Sequence, residues 1–595
     1  MLCCPLGFEL LSSYRTYQRL ADALSLEGFP VLRFDYPGTG NSLPAAQTTD
    51  EVSEWLAGVR DAIEEVRELS GAERVSLAGL RFGATLAALA SEQLAWVESL
   101  VLWAPCVSGR GYARELQAAS RLKPSEVPLT DGIEAYGFAY SKRALDAISA
   151  VDLRKLDVSG KHVLLLERDD VASTSDLAKS WTSSASSLEA RSGLGYAAMM
   201  VEPHNSVLPR ETIANVVDWL AKRHPERELS AESAEPQVTT ESGYADRDYF
   251  ETPLTFGQRS HLFGILTQPA AQRGDHERMK RPVLLLLSAG ADHSIGPHRM
   301  HVDVARAAVE AGYTCFRLDA SGIGDSRIVD QRRRHIYEMA AVEDVRAAMD
   351  AITERTGAEE FILLGLCSGA FVAFQTTQVD SRVVGEILIN PRRLTLGADA
   401  SMHDEFKLYH KSSSYYVNAL LSREHWARFL RGKLSIRGGV RYLTTLAAVR
   451  AQKFLNAKLR GLPEQDEVCA GFQQICQRGT RTLVLAGLQD NGVDYLEYHI
   501  GHRGSKLARF EGFRVQLLAG SDHAFSTVHS QRMLRECILE ELRAHRFRDM
   551  NVRSGARERK SAVRLKTTER LPDAAASRGS ASGGSASRGS AREFQ

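Results

Sequence analysis

The strongest constraint on the fold of this chain is a register that occurs twice. Asp35-Tyr36-Pro37-Gly38-Thr39-Gly40-Asn41-Ser42 follows the apolar run 30–34, and Asp319-Ala320-Ser321-Gly322-Ile323-Gly324-Asp325-Ser326 follows the run 314–318. From the first Asp of this turn to a second, sharper turn is 46 residues in one copy (Asp35 to Arg81) and 48 in the other (Asp319 to Cys367). Each interval holds a segment of helical period. Upstream of each Asp turn lie a strand ending in glycine, at Gly7 and Gly290, and a helix-like stretch, about 14–26 and 298–311. Downstream of each sharp turn a further strand is expected, at 99–104 and 384–390. Such a β-α-β-α-β succession builds a parallel, doubly wound sheet, so the chain is expected to hold two copies of one α/β module.

The sharp turns carry the chemistry. Gly365-Leu366-Cys367-Ser368-Gly369 joins the buried-strand pattern 361–364 to the helix pattern 370–374, which puts a thiol at the tip of a nucleophile elbow. Gly79-Leu80-Arg81-Phe82-Gly83 stands in the same place between 75–78 and 84–86, with an arginine at the tip.

At 595 residues the chain is too long for a single core. The repeat sets the expected domains at 1–222 and 246–548, with a polar, acidic linker at 223–245 and a basic Ser/Gly/Ala/Arg-rich tail at 549–595 that is expected to be disordered. Residues 249–269 read as an antiparallel hairpin ahead of the second copy. The first copy has no counterpart, so either that hairpin was lost or the start of the chain is truncated. Lys plus Arg and Asp plus Glu are both 74, a balance unlike that of a dedicated nucleic-acid binder. The tail is read as a solvated positive run, and no nucleic-acid partner is expected. The eight cysteines show no Cys-x-x-Cys spacing, so neither a metal site nor a disulfide framework is expected. No apolar run of membrane-spanning length and no cleavable leader is seen, which points to a cytoplasmic protein.

These motifs resemble the α/β-hydrolase family, and the fold class expected is two tandem α/β-hydrolase domains, each a mostly parallel doubly wound sheet with a helical cap insertion. The resemblance implies the order nucleophile, acid, histidine. Cys367 is followed by Asp490 at the end of the strand pattern 481–487, and 33 residues later by His523 in Gly520-Ser521-Asp522-His523. Asp494 lies on the same loop and competes for the acid role. Asp522 is read as a residue that shapes the histidine loop. The family's oxyanion hole maps onto the N–H groups of Ser368 and of Ala291, which follows Gly290. Most members carry serine at the tip, and Cys367 departs from that pattern. His298 and His301 are expected to line a helix surface or pocket.

In the first copy the matching positions are Arg81, Asp170 and His204, the last two 34 residues apart. A guanidinium stays protonated and cannot attack a carbonyl, so this copy reads as degenerate. Arg81 serves either a structural partner domain or as a clamp for an anionic ligand. From elbow to acid is 89 residues in the first copy and 123 in the second, and the surplus, at about 393–470, reads as a basic and aromatic cap. The expected function is that of an esterase, thioesterase or acyltransferase. It would act on a small-molecule acyl ester or thioester, a carrier- or coenzyme A-linked group among the options. A Cys-His-Asp triad would form a covalent acyl-enzyme, with no cofactor or metal. The competing expectation is a non-catalytic pseudohydrolase that binds or scaffolds.

Overall fold

The computed structural model describes residues 1–44, 50–92, 94–171, 176–225, 242–243, 248–270, 281–328, 337–396, 444 and 466–553. Most of the expected second cap, most of the linker and nearly all of the tail lie outside the described residues.

The first sheet is built from β1 (Leu2–Cys3), β2 (Arg33–Phe34), β3 (Val75–Leu80), β4 (Val97–Trp103), β7 (His162–Glu167) and β8 (Ser187–Ser192). Its order is β2-β1-β3-β4-β7-β8 with every pairing parallel. Between β4 and β7 stand the helices Gly109–Leu122 and Lys142–Ala150, with the small hairpin of β5 (Ile133–Ala135) and β6 (Phe138–Tyr140). The second sheet runs β17-β16-β15-β14-β12-β13-β11-β10-β9. Its strands are β9 (Ser242–Gly243), β10 (Tyr249–Phe256), β11 (Leu262–Pro269), β12 (Val283–Leu287), β13 (Cys315–Asp319), β14 (Phe361–Leu366), β15 (Val383–Ile389), β16 (Arg481–Gly487) and β17 (Phe513–Leu518). The stretch β13-β12-β14-β15-β16-β17 repeats the topology of the first sheet strand for strand. To it the second module adds the antiparallel hairpin β10/β11, which pairs onto β13.

The central strands are near-continuous apolar runs because both faces of each sheet are covered. In β14, Phe361 and Leu363 enter one core cluster and Ile362, Leu364 and Leu366 the other. The helices Ala340–Thr356, Ser368–Val379 and Glu467–Gln477 cover the first face, and Met300–Glu310 and Val528–Arg553 the second. Val75 and Leu77 of β3 face one layer and Ala78 and Leu80 the other in the same way.

Each Asp turn is organised by its own carboxylate. Asp35 accepts the Asn41 N–H at 2.8 Å and Asp319 accepts the Asp325 N–H at 2.9 Å. A Cβ at Gly40 or Gly324 would lie 2.1 Å from that carboxylate, so glycine is obligatory at both places.

Residues Met1–Arg546 form one compact unit, so the modules are packed together rather than strung apart. Their contact has pseudo-twofold character. Arg33 of the first module bonds Asp325 of the second, while Arg317, at the position matching Arg33, bonds Asn41, at the position matching Asp325. Gln18 donates to the Gly324 carbonyl, and Arg299 donates to the Gly40 carbonyl at 2.7 Å. Tyr14 stacks on His293 with ring centroids 3.6 Å apart and donates to Asp325 at 2.8 Å. Leu11, Ile295, Val302 and Phe138 form a dry cluster between the modules.

His298 and His301 depart from the helix-surface expectation. The helix begins at Met300, and His298 lies in the turn before it, edge-on to Phe138 of the first module. His301 is fully buried.

Candidate active site

Both elbows have the same backbone. Cys367 sits at φ 54° and ψ −108°, and Arg81 at φ 55° and ψ −124°, each immediately before its helix. This region is unfavourable for a residue with a Cβ, and neighbouring glycines permit it. A Cβ on Gly365 would lie 2.2 Å from the Gly369 backbone, and one on Gly369 would lie 2.9 Å from the Ser288 carbonyl. In the first module, Gly79 and Gly83 are confined in the same way by Ala84 and by the Cys3 and Cys4 carbonyls.

Around Cys367 the structure brings together the residues expected from the sequence. His523 Nδ1 lies 2.8 Å from Asp490 Oδ2. The imidazole and the Cys367 thiol are close enough for each to shift the other's titration, and with Nδ1 engaged by Asp490 the ring's Nε2 is the nitrogen left for the sulfur. Asp490, rather than Asp494, is the carboxylate bonded to the histidine. Asp490 is fully buried and also accepts from Arg392 Nη2 at 2.6 Å and from the Gly492 N–H at 2.8 Å. Asp494 is buried in the helix Gly492–Ile500. Asp522 shapes its loop, accepting the Ser526 N–H at 2.9 Å. Asn390 clamps the assembly: its side chain donates to the His523 carbonyl at 2.7 Å and to the Asp522 carbonyl at 3.2 Å, and accepts the Gly487 N–H at 2.8 Å.

Electrostatics separate the two titrating groups. Burial by itself raises the Cys367 thiol, but the charge and hydrogen bond of His523, the Tyr337 hydroxyl and Arg392 outweigh it and hold the thiol below its ordinary value. Burial lowers His523, and the opposing charges of Cys367 and Asp490 reverse this and lift it to about 9. The start of the helix Ser368–Val379 adds its positive end to the same side of the sulfur. The pairing therefore moves the sulfur towards the thiolate and the ring towards the imidazolium.

Of the two expected oxyanion donors, Ser368 opens the elbow helix, where first-turn N–H groups lack an intrahelical acceptor. Its hydroxyl accepts the Gly290 N–H at 2.7 Å and so ties the turn carrying Ala291 to the elbow. Ala291 is exposed on that turn.

Three residues near the thiol or its partners escaped the sequence reading. Tyr337 Oη lies 3.4 Å from Cys367 Sγ, its ring edge-on to Phe371. No local pattern marks it. Asn390 and Arg392 carried a usable signal, since Asn390-Pro391-Arg392 follows directly on the carboxyl end of β15, and sites in this architecture lie beyond the carboxyl ends of the strands.

In the first module the three matching positions are not brought together. Arg81 Nε bonds Glu9 Oε1 at 2.7 Å, another guanidinium nitrogen bonds Glu115, and the group lies over the Tyr112 ring. Asp170 is held by both forks of Arg168 at 2.8 and 2.7 Å, and His204 makes no hydrogen bond with it. Ala104 stands where the second module has Asn390, so the clamp that seats a histidine loop is missing.

Among the described residues, no group of three or more His, Cys, Asp or Glu side chains is placed to hold a metal ion, and no helix is long and apolar enough to cross a membrane.

Two sheets of one topology, each with an elbow after its third parallel strand, define an α/β-hydrolase-type architecture. Comparison with known families agrees. Residues 10–132 match the family described as serine aminopeptidase, S33, and residues 283–536 match the alpha/beta hydrolase family. The chain is thus a tandem member of the α/β-hydrolase families, one match in each module. No curated protein matches it. Among solved structures, an esterase of Pyrococcus furiosus shares 10% identity over 49% of this chain and 90% of its own, with a TM-score of 0.30. Carboxyl esterase 2 of the mycorrhizal fungus Tuber melanosporum shares 13% over 56% and 97%, at 0.29. An alpha-beta serine hydrolase homologue from Coxiella burnetii shares 13% over 49% and 96%, at 0.29.

Proposed function

We propose that the second module is a hydrolase or acyltransferase that works through Cys367, His523 and Asp490 on an acyl ester or thioester. The observation that carries this reading is the imidazole of His523 held through Nδ1 by the buried Asp490 carboxylate, with the Cys367 thiol near enough to raise the ring's titration. The Cys367 thiolate attacks the acyl carbonyl, and its oxygen takes up negative charge between the N–H groups of Ser368 and Ala291. His523, protonated at Nε2, gives that proton to the departing alcohol or thiol, which leaves a thioester on Cys367. Asp490 stabilises the imidazolium and fixes its orientation. His523, now neutral, takes a proton from water, or from an acceptor alcohol or amine, as it attacks the thioester. Collapse returns the thiolate.

A thioester intermediate stays activated towards amines and alcohols, so transfer is as natural an outcome as hydrolysis. Acyl groups on a carrier or coenzyme A are the proposed substrates, since a thioester exchanges readily with a cysteine thiolate. A cytoplasmic setting belongs to the same reading, because a reducing compartment preserves the thiol. The first module is proposed to be a pseudoenzyme. The pairing of Arg81 with Glu9 and Glu115 favours a structural role for it over an anion clamp, since protein carboxylates already fill both sides of the guanidinium.

The test is incubation of wild type and Cys367→Ala with aryl esters and acyl thioesters, followed by intact mass. A single acyl adduct on wild type that is lost in the variant is the expected result. Equal rates and no adduct in either would leave the pseudohydrolase scaffold as the function of both modules.

A further inference from the structure

The loops that bear the second module's reactive groups touch the first module. Lys123, at the end of the first module's cap helix, donates to Asp522 Oδ2 at 2.5 Å and to the Ser526 hydroxyl, on either side of His523 in the histidine loop. Gln531, a few residues on, donates to the Gly137 carbonyl at 3.0 Å. The turn at Gly290 and Ala291 also meets the first module, at His204. A Cβ added to Gly290 would find His204 Cβ as its nearest neighbour, at 3.8 Å.

His204 stands there on a fixed base. The Ser206 hydroxyl is within hydrogen-bonding distance of the carbonyls of Ser12, at 2.9 Å, and of Met199, at 2.8 Å, and the Asn205 N–H closes a turn onto the Glu202 carbonyl at 2.8 Å. The acid at the matching position of its own module, Asp170, is engaged by Arg168 and not by this ring. The histidine of the disarmed module is thus presented to the oxyanion turn of the armed one.

We infer that the first module forms a wall of the second module's active site, with His204 as a specificity-determining residue beside the oxyanion turn and Lys123 as a positioning residue for the histidine loop. The inference rests on the reading of Cys367 as the reactive group. Burial lowers the His204 imidazole; Glu202 opposes this, and the charges of His523 and Arg392 push the same way, so the ring is neutral near pH 7. A neutral ring in this place limits the bulk that reaches the sulfur and adds no charge that would compete with the Ser368 and Ala291 N–H groups. It selects compact, unbranched acyl groups over bulky ones. Lys123 acts at one remove, because the loop it holds carries His523.

The test needs no turnover. Labelling of Cys367 in the full-length protein is followed by peptide mapping with N-ethylmaleimide and with N-(1-pyrenyl)maleimide, which share one chemistry and differ in bulk. His204→Ala is expected to raise the pyrenyl-to-ethyl rate ratio by about fivefold, and His204→Trp to lower it by a similar factor, with melting temperatures within about 2 °C of wild type. Lys123→Met is expected to leave the ratio alone and to move the pH dependence of ethyl labelling upward, slowing it about threefold at pH 7 as His523 loses its fixed position. A ratio unchanged in both His204 variants overturns the wall, and a pH dependence unchanged in Lys123→Met overturns the role of Lys123. Loss of the acyl adduct with the ratio shift intact would remove the catalytic reading and keep the wall. An adduct with an unmoved ratio would do the reverse.

Discussion

The chemistry of Cys367 depends on two groups that pull in opposite directions. Burial works against a thiolate, and His523 works for it, so removing the imidazole leaves burial in command. His523→Ala is therefore expected to move the inflection of Cys367 alkylation from below the ordinary thiol value to above it. The rate at pH 7 should fall about tenfold for each unit of that rise. Asp490 acts on the other limb. Its negative charge helps to raise His523 to about 9, and the imidazolium exists only below that value. The rate profile of wild type should thus fall on the alkaline side near pH 9, as the proton needed by the leaving group is lost, and on the acid side as the thiolate is protonated. In Asp490→Asn the alkaline limb should move to lower pH, because the histidine loses the charge that favours its protonated form. An alkaline limb that stays in place would show that another group governs it. Tyr337→Phe removes the hydroxyl 3.4 Å from the sulfur and should raise the thiol in the same direction as His523→Ala, by less, since its bond is one contribution among several.

The elbow is where sequence and structure correspond most closely. Each elbow is short and local, with the glycines, strand and helix that force it inside some fifteen residues, and so it could be read from Gly365 and Gly369 or Gly79 and Gly83 directly. The Asp turns were readable for the same reason, since Gly40 and Gly324 are dictated by a carboxylate five residues away. The partners of Arg81 could not be read. Glu9 is 72 residues away on the first helix and Glu115 lies 34 residues on in the cap, and nothing local ties either to a guanidinium. Arg81 pins that cap helix to the helix Phe8–Leu26, with the arginine end of the Arg81–Glu9 pair buried and the Glu9 end half-buried. Arg81→Ala would leave the half-buried Glu9 without its cation and is expected to cost about 2 kcal/mol of stability, measured by urea unfolding. Arg81→Met combined with Glu9→Gln should regain most of that, because the uncompensated charge is gone. If Arg81→Ala is neutral, the arginine has no structural duty and the anion-clamp reading returns.

The contact between the modules joins positions far apart in the chain, which is why the sequence did not reveal it. Arg33 and Asp325 are separated by 292 residues, Arg317 and Asn41 by 276. What can be recognised afterwards is that these are equivalent positions in the two repeats, exchanged across a pseudo-twofold axis in the way a symmetric dimer exchanges its contacts. Only part of that symmetry survives in chemistry: one side is an Arg–Asp ion pair and the other an Arg–Asn bond, with Arg317 also held by Glu251 of the added hairpin at 2.8 Å. The hairpin therefore stabilises the second module's half of the contact. The dry cluster of Leu11, Ile295, Val302 and Phe138 is the part of the interface with no polar alternative. Leu11→Asp places a carboxylate there with no partner, a burden of several kcal/mol, on the order of ~3, borne by the docked state alone. Wild type is expected to unfold in one calorimetric transition, and Leu11→Asp to split it in two as the modules come apart. Because docking also sets His204 against Gly290, the same variant should raise the pyrenyl-to-ethyl labelling ratio at Cys367 in parallel with His204→Ala. A single transition at the wild-type temperature, with an unaltered ratio, would mean that the modules do not depend on this contact.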